Sequence, residues 1–223
     1  MTKKSALIAG ATGLVGNELL HILINSQRYE KIYALVRRPL EVKHPTLIEV
    51  ICDFERLEEV ESYFTVDDVF CTLGTTIKKA KTKEAMFRID VDYPIAIAQL
   101  AMEKGARHFL IVSSFQANKN SRLWYPKMKG ELEDKLKEIP YEAMSIFQPP
   151  LLLGNRSEFR LLEKIAIGMV RGLGSIFGHQ LRSRMGIEAR TVAAAMFLVA
   201  QKEQKGIQIY SAKDMEIIQK SKQ

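Results

Sequence analysis

Ala6-Leu7-Ile8-Ala9-Gly10-Ala11-Thr12-Gly13-Leu14-Val15-Gly16 runs from four apolar residues without polar alternation into glycines spaced G-x-x-G-x-x-G. The apolar run predicts a central strand buried on both faces, and Leu14–Ile24 follows with a helical pattern. At such a strand-to-helix turn each glycine has a separate job: Gly10 allows the tight turn and Gly13 removes a Cβ that would block a pyrophosphate. Gly16 lets the helix pack closely on the strand. Backbone N–H groups and the positive end of the helix then receive phosphates. Because this stretch opens the first βαβ unit of the chain, it predicts a dinucleotide site and not a mere turn.

Working outward, further strands are predicted at Lys31–Val36, Leu47–Cys52, Val69–Leu73, His108–Ser113 and Ala143–Phe147, with helices at Lys83–Lys104 and Lys127–Glu138 between them. Strands alternating with helices imply crossovers and a parallel sheet covered on both faces. The predicted fold class is α/β, a Rossmann-type doubly wound parallel sheet, in one domain over residues 1–223. Beyond Pro149-Pro150 the pattern changes. Asn155 and Glu158 form a helix-starting capping box, Leu161, Leu162, Ile165 and Met169 share a helical face, and glycines at 172, 174 and 178 end that element. A helix about Arg190–Gln201 and a strand-like Ile207–Tyr210 complete a C-terminal third, read as a small substrate-side cap from about residue 154.

Composition is that of a globular chain: 223 residues, 47% hydrophobic and 26% charged, against both disorder and membrane insertion. The Met1-Thr2-Lys3-Lys4-Ser5 start lacks a signal-type apolar region, and the apolar run Ala193–Ala200 is far short of a spanning helix, so a cytoplasmic protein is expected. A net charge of +7 raises nucleic-acid binding, but the basic residues are scattered and not interleaved with aromatics on one element. The cluster Lys78–Lys83 reads as a solvated loop. Cys52 and Cys71 lack metal spacing and read as buried free thiols. His44, His108 and His179 share no ligand spacing, His21 reads as an ordinary helix residue, and no metal is expected.

The second strand selects the cofactor. It ends Leu35-Val36-Arg37-Arg38-Pro39, without the acidic residue that commonly binds a ribose 2′-hydroxyl. Two guanidiniums there suit a 2′-phosphate, so NADP(H) is expected over NAD(H).

Three further motifs carry a family likeness: the Ser113-Ser114 pair ending a strand, Tyr125-Pro126-Lys127-Met128-Lys129-Gly130-Glu131, and Cys71-Thr72-Leu73-Gly74-Thr75-Thr76 with Val91-Asp92-Tyr93. With the glycine loop they resemble the short-chain dehydrogenase/reductase superfamily, in its extended and atypical branches, and most closely the Tat-interacting-protein-like atypical reductases. The YxxxK spacing alone carries little weight; its place after the serine pair and at a helix start carries more, with Pro126 suited to the first helical position. The resemblance implies a cofactor along Gly10, Thr12, Gly13, Leu14, Val15 and Gly16, the Arg37-Arg38 tip and the Leu73-Gly74 turn, with Asp53 on the adenine. It also implies Tyr125, Lys129 and Ser114 as catalytic residues, Ser113 being the lesser choice of the pair.

A free tyrosine, with a pKa of about 10, is a poor base at neutral pH. The Lys129 ammonium and a positive nicotinamide favour its phenolate, so Tyr125 is expected to exchange a proton with a carbonyl or alcohol oxygen that Ser114 holds, Tyr125 and Lys129 also touching the cofactor. The chain departs from many relatives at two points: Asp90 stands where they carry an asparagine, and Gln148 where an arginine is common. Trp124 reads equally as a pocket wall or as packing, and Arg156 and Arg160 as ligand contacts or solvated helix charges.

The leading expectation is an NADP(H)-dependent oxidoreductase acting on a small carbonyl or alcohol. A dinucleotide-sensing regulatory protein with little turnover is the alternative from another class; an epimerase requires a larger pocket than some 70 C-terminal residues comfortably provide. The expected partner is a small-molecule substrate, with no nucleic acid and no membrane, and a homodimer or regulatory protein partner stays open.

Overall fold

A computed structural model describes residues 3–153 and 186–221. The expectations for Asn155, Arg156, Glu158, Arg160, Leu161, Leu162, Ile165, Met169, His179 and the glycines at 172, 174 and 178 lie outside the described residues. The strands are β1 (Lys4–Ala9), β2 (Tyr29–Val36), β3 (Leu47–Ile51), β4 (Asp68–Cys71), β5 (His108–Val112), β6 (Ala143–Gln148), β7 (Leu151–Leu153), β8 (Gly186–Glu188) and β9 (Gly206–Ser211). Seven form one sheet in the order β3-β2-β1-β4-β5-β6-β9, and β7 pairs with β8 separately. Every pairing is parallel, so the carboxyl ends of all seven strands gather on one edge. The chain reverses direction across the sheet between β1 and β4, the position where open α/β sheets hold ligands.

The helices are α1 (Leu14–Asn25), α2 (Ile77–Ala80), α3 (Lys83–Phe87), α4 (Tyr93–Glu103), α5 (Trp124–Lys137), α6 (Ala189–Ala200) and α7 (Ala212–Lys220). Side chains of a strand alternate between faces, and β1 shows why its sequence is apolar throughout. Ala6 and Ile8 pack with α1, α6 and Met215 of α7 on one face; Leu7 and Ala9 pack with α4 and α5 on the other. Both faces are core.

Three expectations change. The predicted strand Val69–Leu73 begins one residue earlier and stops at Cys71, because Thr72 to Thr76 leave the sheet as a loop. The predicted helix Lys83–Lys104 is α3 and α4 joined by a π-turn over Arg88–Asp92. Pro94 lacks an N–H and its ring crowds the carbonyl four residues back, which the wider turn accommodates. The helix about 190–201 and strand 207–210, read as part of a cap, belong to the core. α6 buries Val192, Ala193, Ala195, Met196 and Val199 among others, too wide an apolar surface for a peripheral helix, and β9 extends the main sheet beside β6.

At the amino end of the sheet, polar side chains tie the strands together. Asp68 accepts from the Tyr29 hydroxyl at 2.7 Å and from Lys4 at 3.1 Å, and Lys4 also donates to the Ala200 carbonyl at the end of α6. His108 lies 2.9 Å from the Ser145 hydroxyl. Burial, helped by the charge of Lys4, pushes its imidazole down to about 4, so it is neutral at pH 7.

Candidate functional site

The glycine loop is fixed mainly by backbone. Gly10 has φ +91°, a region that favours glycine, and a Cβ there meets the Thr72 carbonyl carbon at 2.6 Å. At Gly16 a Cβ falls 2.1 Å from the Gly10 carbonyl oxygen. Those two glycines are required by the protein itself: one by the approach of the β4 loop, the other by the packing of α1. Gly13 differs. Its φ of −79° and ψ of 172° suit any residue, and a Cβ there meets the Gly10 carbonyl oxygen at 3.2 Å, a tight contact that a small adjustment relieves, and the Thr72 carbonyl oxygen at 3.9 Å. Gly13 is therefore required far less by the protein's own packing than Gly10 or Gly16, which fits a place kept clear for a ligand.

Gly13 caps α1 without any side-chain hydrogen bond, and no acidic residue stands in the first turn. Among the described residues the first helical bond runs from the Asn17 N–H to the Gly13 carbonyl, leaving the N–H groups of Leu14, Val15 and Gly16 without acceptors. Three free donors at the positive end of a helix fit a pyrophosphate. Thr12 and Gly13 are exposed in front of them, and Val15 is buried behind.

Arg37 and Arg38 follow β2 directly. Both are exposed, and neither makes a hydrogen bond or ion pair among the described residues. Asp53 lies just past β3, exposed, and accepts from the Glu55 N–H at 3.0 Å. Leu73 and Gly74 sit on the loop after β4, with Gly74 exposed. These positions line the carboxyl ends of β2, β3 and β4, on either side of the glycine loop.

Further along the same sheet edge the site is built from side chains. α5 begins at Trp124, three residues before the predicted start, so Pro126 occupies the third helical position and not the first. The N–H it lacks has no intrahelical partner there either. Tyr125 and Lys129 are one turn apart on this helix. Lys129 is not the free ammonium that the sequence suggests: it is 4% exposed and pairs at 2.9 Å with Asp90, itself 2% exposed. Burial works against the charged lysine, but Asp90, and then Tyr125, more than offset this, and Lys129 stays above the ordinary lysine range. The π-turn presents Asp90, whose other oxygen accepts from the Thr75 N–H at 2.8 Å. Asp90 thus joins the β4 loop to α5, and its charge opposes that of Lys129 beside Tyr125.

The two serines are separated by their partners. Ser113 donates to Glu133 at 2.5 Å, and Gln148 donates to both oxygens of the same carboxylate at 2.9 and 3.0 Å. The Ser114 hydroxyl is buried and has no hydrogen-bond partner. An enclosed hydroxyl without a protein partner needs one from elsewhere, which suits Ser114 better than Ser113 for holding a ligand oxygen.

Glu133, Thr72 and the role of Gly130 escaped the sequence reading. Glu133 continues the Tyr125, Lys129 spacing by another four residues, so the three share one face of α5; that period was the available signal. A Cβ at Gly130 falls 2.1 Å from the Lys119 nitrogen, which locates the post-β5 loop directly against α5. Cys71 is buried and pushed up to about 12 by burial, which leaves it an inert thiol. Cys52 is half-buried and not the fully enclosed thiol expected. No group of His, Cys, Asp and Glu among the described residues is arranged to hold a metal.

A family model described as NAD(P)H-binding matches residues 10–141. Protein HTATIP2 of Rattus norvegicus is 37% identical over 170 residues, covering 74% of this chain and 70% of that protein. Protein FMP52, mitochondrial, of Eremothecium gossypii is 38% identical over 153 residues, with 68% of each covered. Among solved structures, MoeE5 in complex with UDP-glucose and NAD aligns with a TM-score of 0.69 at 19% identity, over 93% of this chain and 75% of that one. An oxidoreductase of the short chain dehydrogenase/reductase family from Burkholderia thailandensis aligns with a TM-score of 0.67 at 16% identity, over 96% and 93%. At these identities the structural likeness concerns the fold.

Proposed function

Because the chain belongs to the NAD(P)H-binding family, as an atypical short-chain dehydrogenase/reductase similar to HTATIP2, we propose that it is an NADP(H)-dependent oxidoreductase acting on a small carbonyl or alcohol. The observation that carries the reading is the meeting, at one edge of the sheet, of three unpartnered N–H groups behind Gly13 with Tyr125, Lys129 and the buried Ser114 hydroxyl. Leu14, Val15 and Gly16 hold the pyrophosphate, with Gly10, Thr12 and Gly13 shaping its approach. Arg37 and Arg38 bind a 2′-phosphate, Asp53 the adenine, and Leu73 and Gly74 flank the cofactor. Bound there, the dinucleotide supplies or accepts hydride. Tyr125 exchanges the proton with the substrate oxygen, Ser114 donates a hydrogen bond to that oxygen, and Lys129, held by Asp90, orients the nicotinamide ribose.

One observation favours a second reading. The Asp90 carboxylate, 2.9 Å from the Lys129 ammonium, offsets the positive charge beside Tyr125, which suits a dinucleotide-sensing regulatory protein with slow turnover. Consumption of NADPH against a panel of carbonyl compounds separates the two. For an oxidoreductase, Tyr125→Phe lowers turnover about 10²-fold or more and leaves NADPH affinity within a few-fold. Turnover unchanged in the variant removes Tyr125 from the mechanism. Tight NADPH binding with no turnover by either protein favours the sensor.

A further inference from the structure

The loops after β4 and β5 leave adjacent parallel strands at the same edge of the sheet. Residues 74–83 and 113–130 contain eight lysines and arginines and no aspartate or glutamate. Lys129 pairs with Asp90 and Lys119 with Asp134. The remaining Lys78, Lys79, Lys81, Lys83, Arg122 and Lys127 have no carboxylate partner among the described residues, and all are exposed. Three large apolar side chains stand out of the same loops: Ile77 is 49% exposed, Phe115 56% and Leu123 64%. Lys83 lies 5.5 Å over the Trp124 ring, which ties the two loops together beside Tyr125.

Unpaired cations alternating with protruding apolar residues suit a surface that is anionic outside and apolar beneath. A purely acidic segment would satisfy the charges and leave Ile77, Phe115 and Leu123 without apolar partners. A nucleic acid would meet the same objection. We infer that this rim is a docking surface for an anionic lipid bilayer, with the lysines on the headgroups and the three apolar side chains at the acyl boundary. The contact is with the bilayer surface: among the described residues no helix is long and apolar enough to cross a membrane. Docked this way, the carboxyl edge of the sheet, where the glycine loop and Tyr125 lie, faces the bilayer. The inference goes beyond the proposed activity and does not rest on it.

The test is co-sedimentation of the full chain with phosphatidylcholine vesicles, with and without about one-third phosphatidylserine, in low salt, without cofactor. Binding is expected only to the anionic vesicles, weakening at least about 10-fold in high salt. The triple change Lys78→Glu, Lys79→Glu, Lys81→Glu should reduce it at least about 10-fold. Ile77→Ser, Phe115→Ser, Leu123→Ser should also weaken it, by several-fold. A charge-matched control, Lys202→Glu, Lys205→Glu, Lys213→Glu, alters exposed lysines elsewhere and should bind within about two-fold of the original. Absence of binding to anionic vesicles overturns the proposal, as does an equal loss in the control, which would reduce the effect to net charge. It also fails if polyglutamate binds as tightly as the vesicles and the apolar triple change has no effect, since the surface then suits an acidic protein.

Discussion

The two parts of the candidate site, along one edge of the sheet, are made in different ways. At the phosphate end, the glycine loop owes its shape to backbone: a positive φ at Gly10 and a helix that touches its strand at Gly16, with a bare helix terminus between them. At the chemical end, Tyr125, Lys129 and Glu133 on α5 depend on side chains from the π-turn, the end of β5 and the end of β6. One end takes its glycines and donors from seven consecutive residues, 10–16, against which Thr72 packs; the other draws its side chains from segments far apart in the sequence. The first should tolerate almost no added atoms, and the second should be sensitive to a missing charge.

The largest expected effect is at the phosphate end. Gly16→Val places a Cβ 2.1 Å from a carbonyl oxygen, so α1 must leave its strand, at a cost of about 5 kcal/mol or more in urea unfolding. Gly13→Val, three residues earlier in the same loop, should keep the fold and lose NADPH binding by calorimetry. If both variants fold equally well, the backbone account of the loop is wrong.

Next comes the chemical end. Asp90→Ala leaves Lys129 charged, buried and without its carboxylate, which should cost about 4 kcal/mol. Asp90→Asn keeps an acceptor for the Thr75 N–H and should cost less. Equal losses in urea unfolding would mean that the hydrogen bond contributes nothing beyond the ion pair, and no loss in Asp90→Asn would mean that the ion pair itself contributes nothing.

This contrast explains what was legible in the sequence. The loop, the β1–β2 unit and the parallel sheet were readable because strand alternation and glycine spacing are local. That Tyr125 and Lys129 share a helix one turn apart was readable from their four-residue spacing, while their catalytic role is what the family likeness implies. The neutralisation of Lys129 was not, because Asp90 lies 39 positions earlier and its orientation depends on a π-turn that interrupts an otherwise helical pattern. α6 was misplaced for a similar reason: an apolar helix late in the chain looks like any buried helix until the sheet it covers is known.

A third effect sharpens the comparison by lying far from both ends. His108 begins β5, at the edge of the sheet opposite Ser113. Its folded value of about 4 lies below the ordinary 6.5, so the unfolded chain takes up a proton first as pH falls. The stability it contributes is full above about pH 6.5 and is lost as pH falls toward 4, on the order of 3 kcal/mol. Urea unfolding at pH 7 and pH 4 should show that loss in the original chain and a smaller one in His108→Asn. Identical pH dependence in the two would remove His108 as the cause.

The smallest effect tests the central claim, that this edge of the sheet binds NADP(H). Arg37 and Arg38 are exposed and unpaired at the tip of β2, so replacing both by alanine should change stability by less than about 0.5 kcal/mol. The decisive measurement is a calorimetric titration of NADPH and NADH into the original chain and into Arg37→Ala, Arg38→Ala. The account predicts that the original prefers NADPH by at least about 10-fold, which corresponds to about 1.4 kcal/mol, and that the double variant loses most of this preference by weakening NADPH alone. Equal affinities in the original chain, or equal losses for both cofactors in the variant, would contradict it.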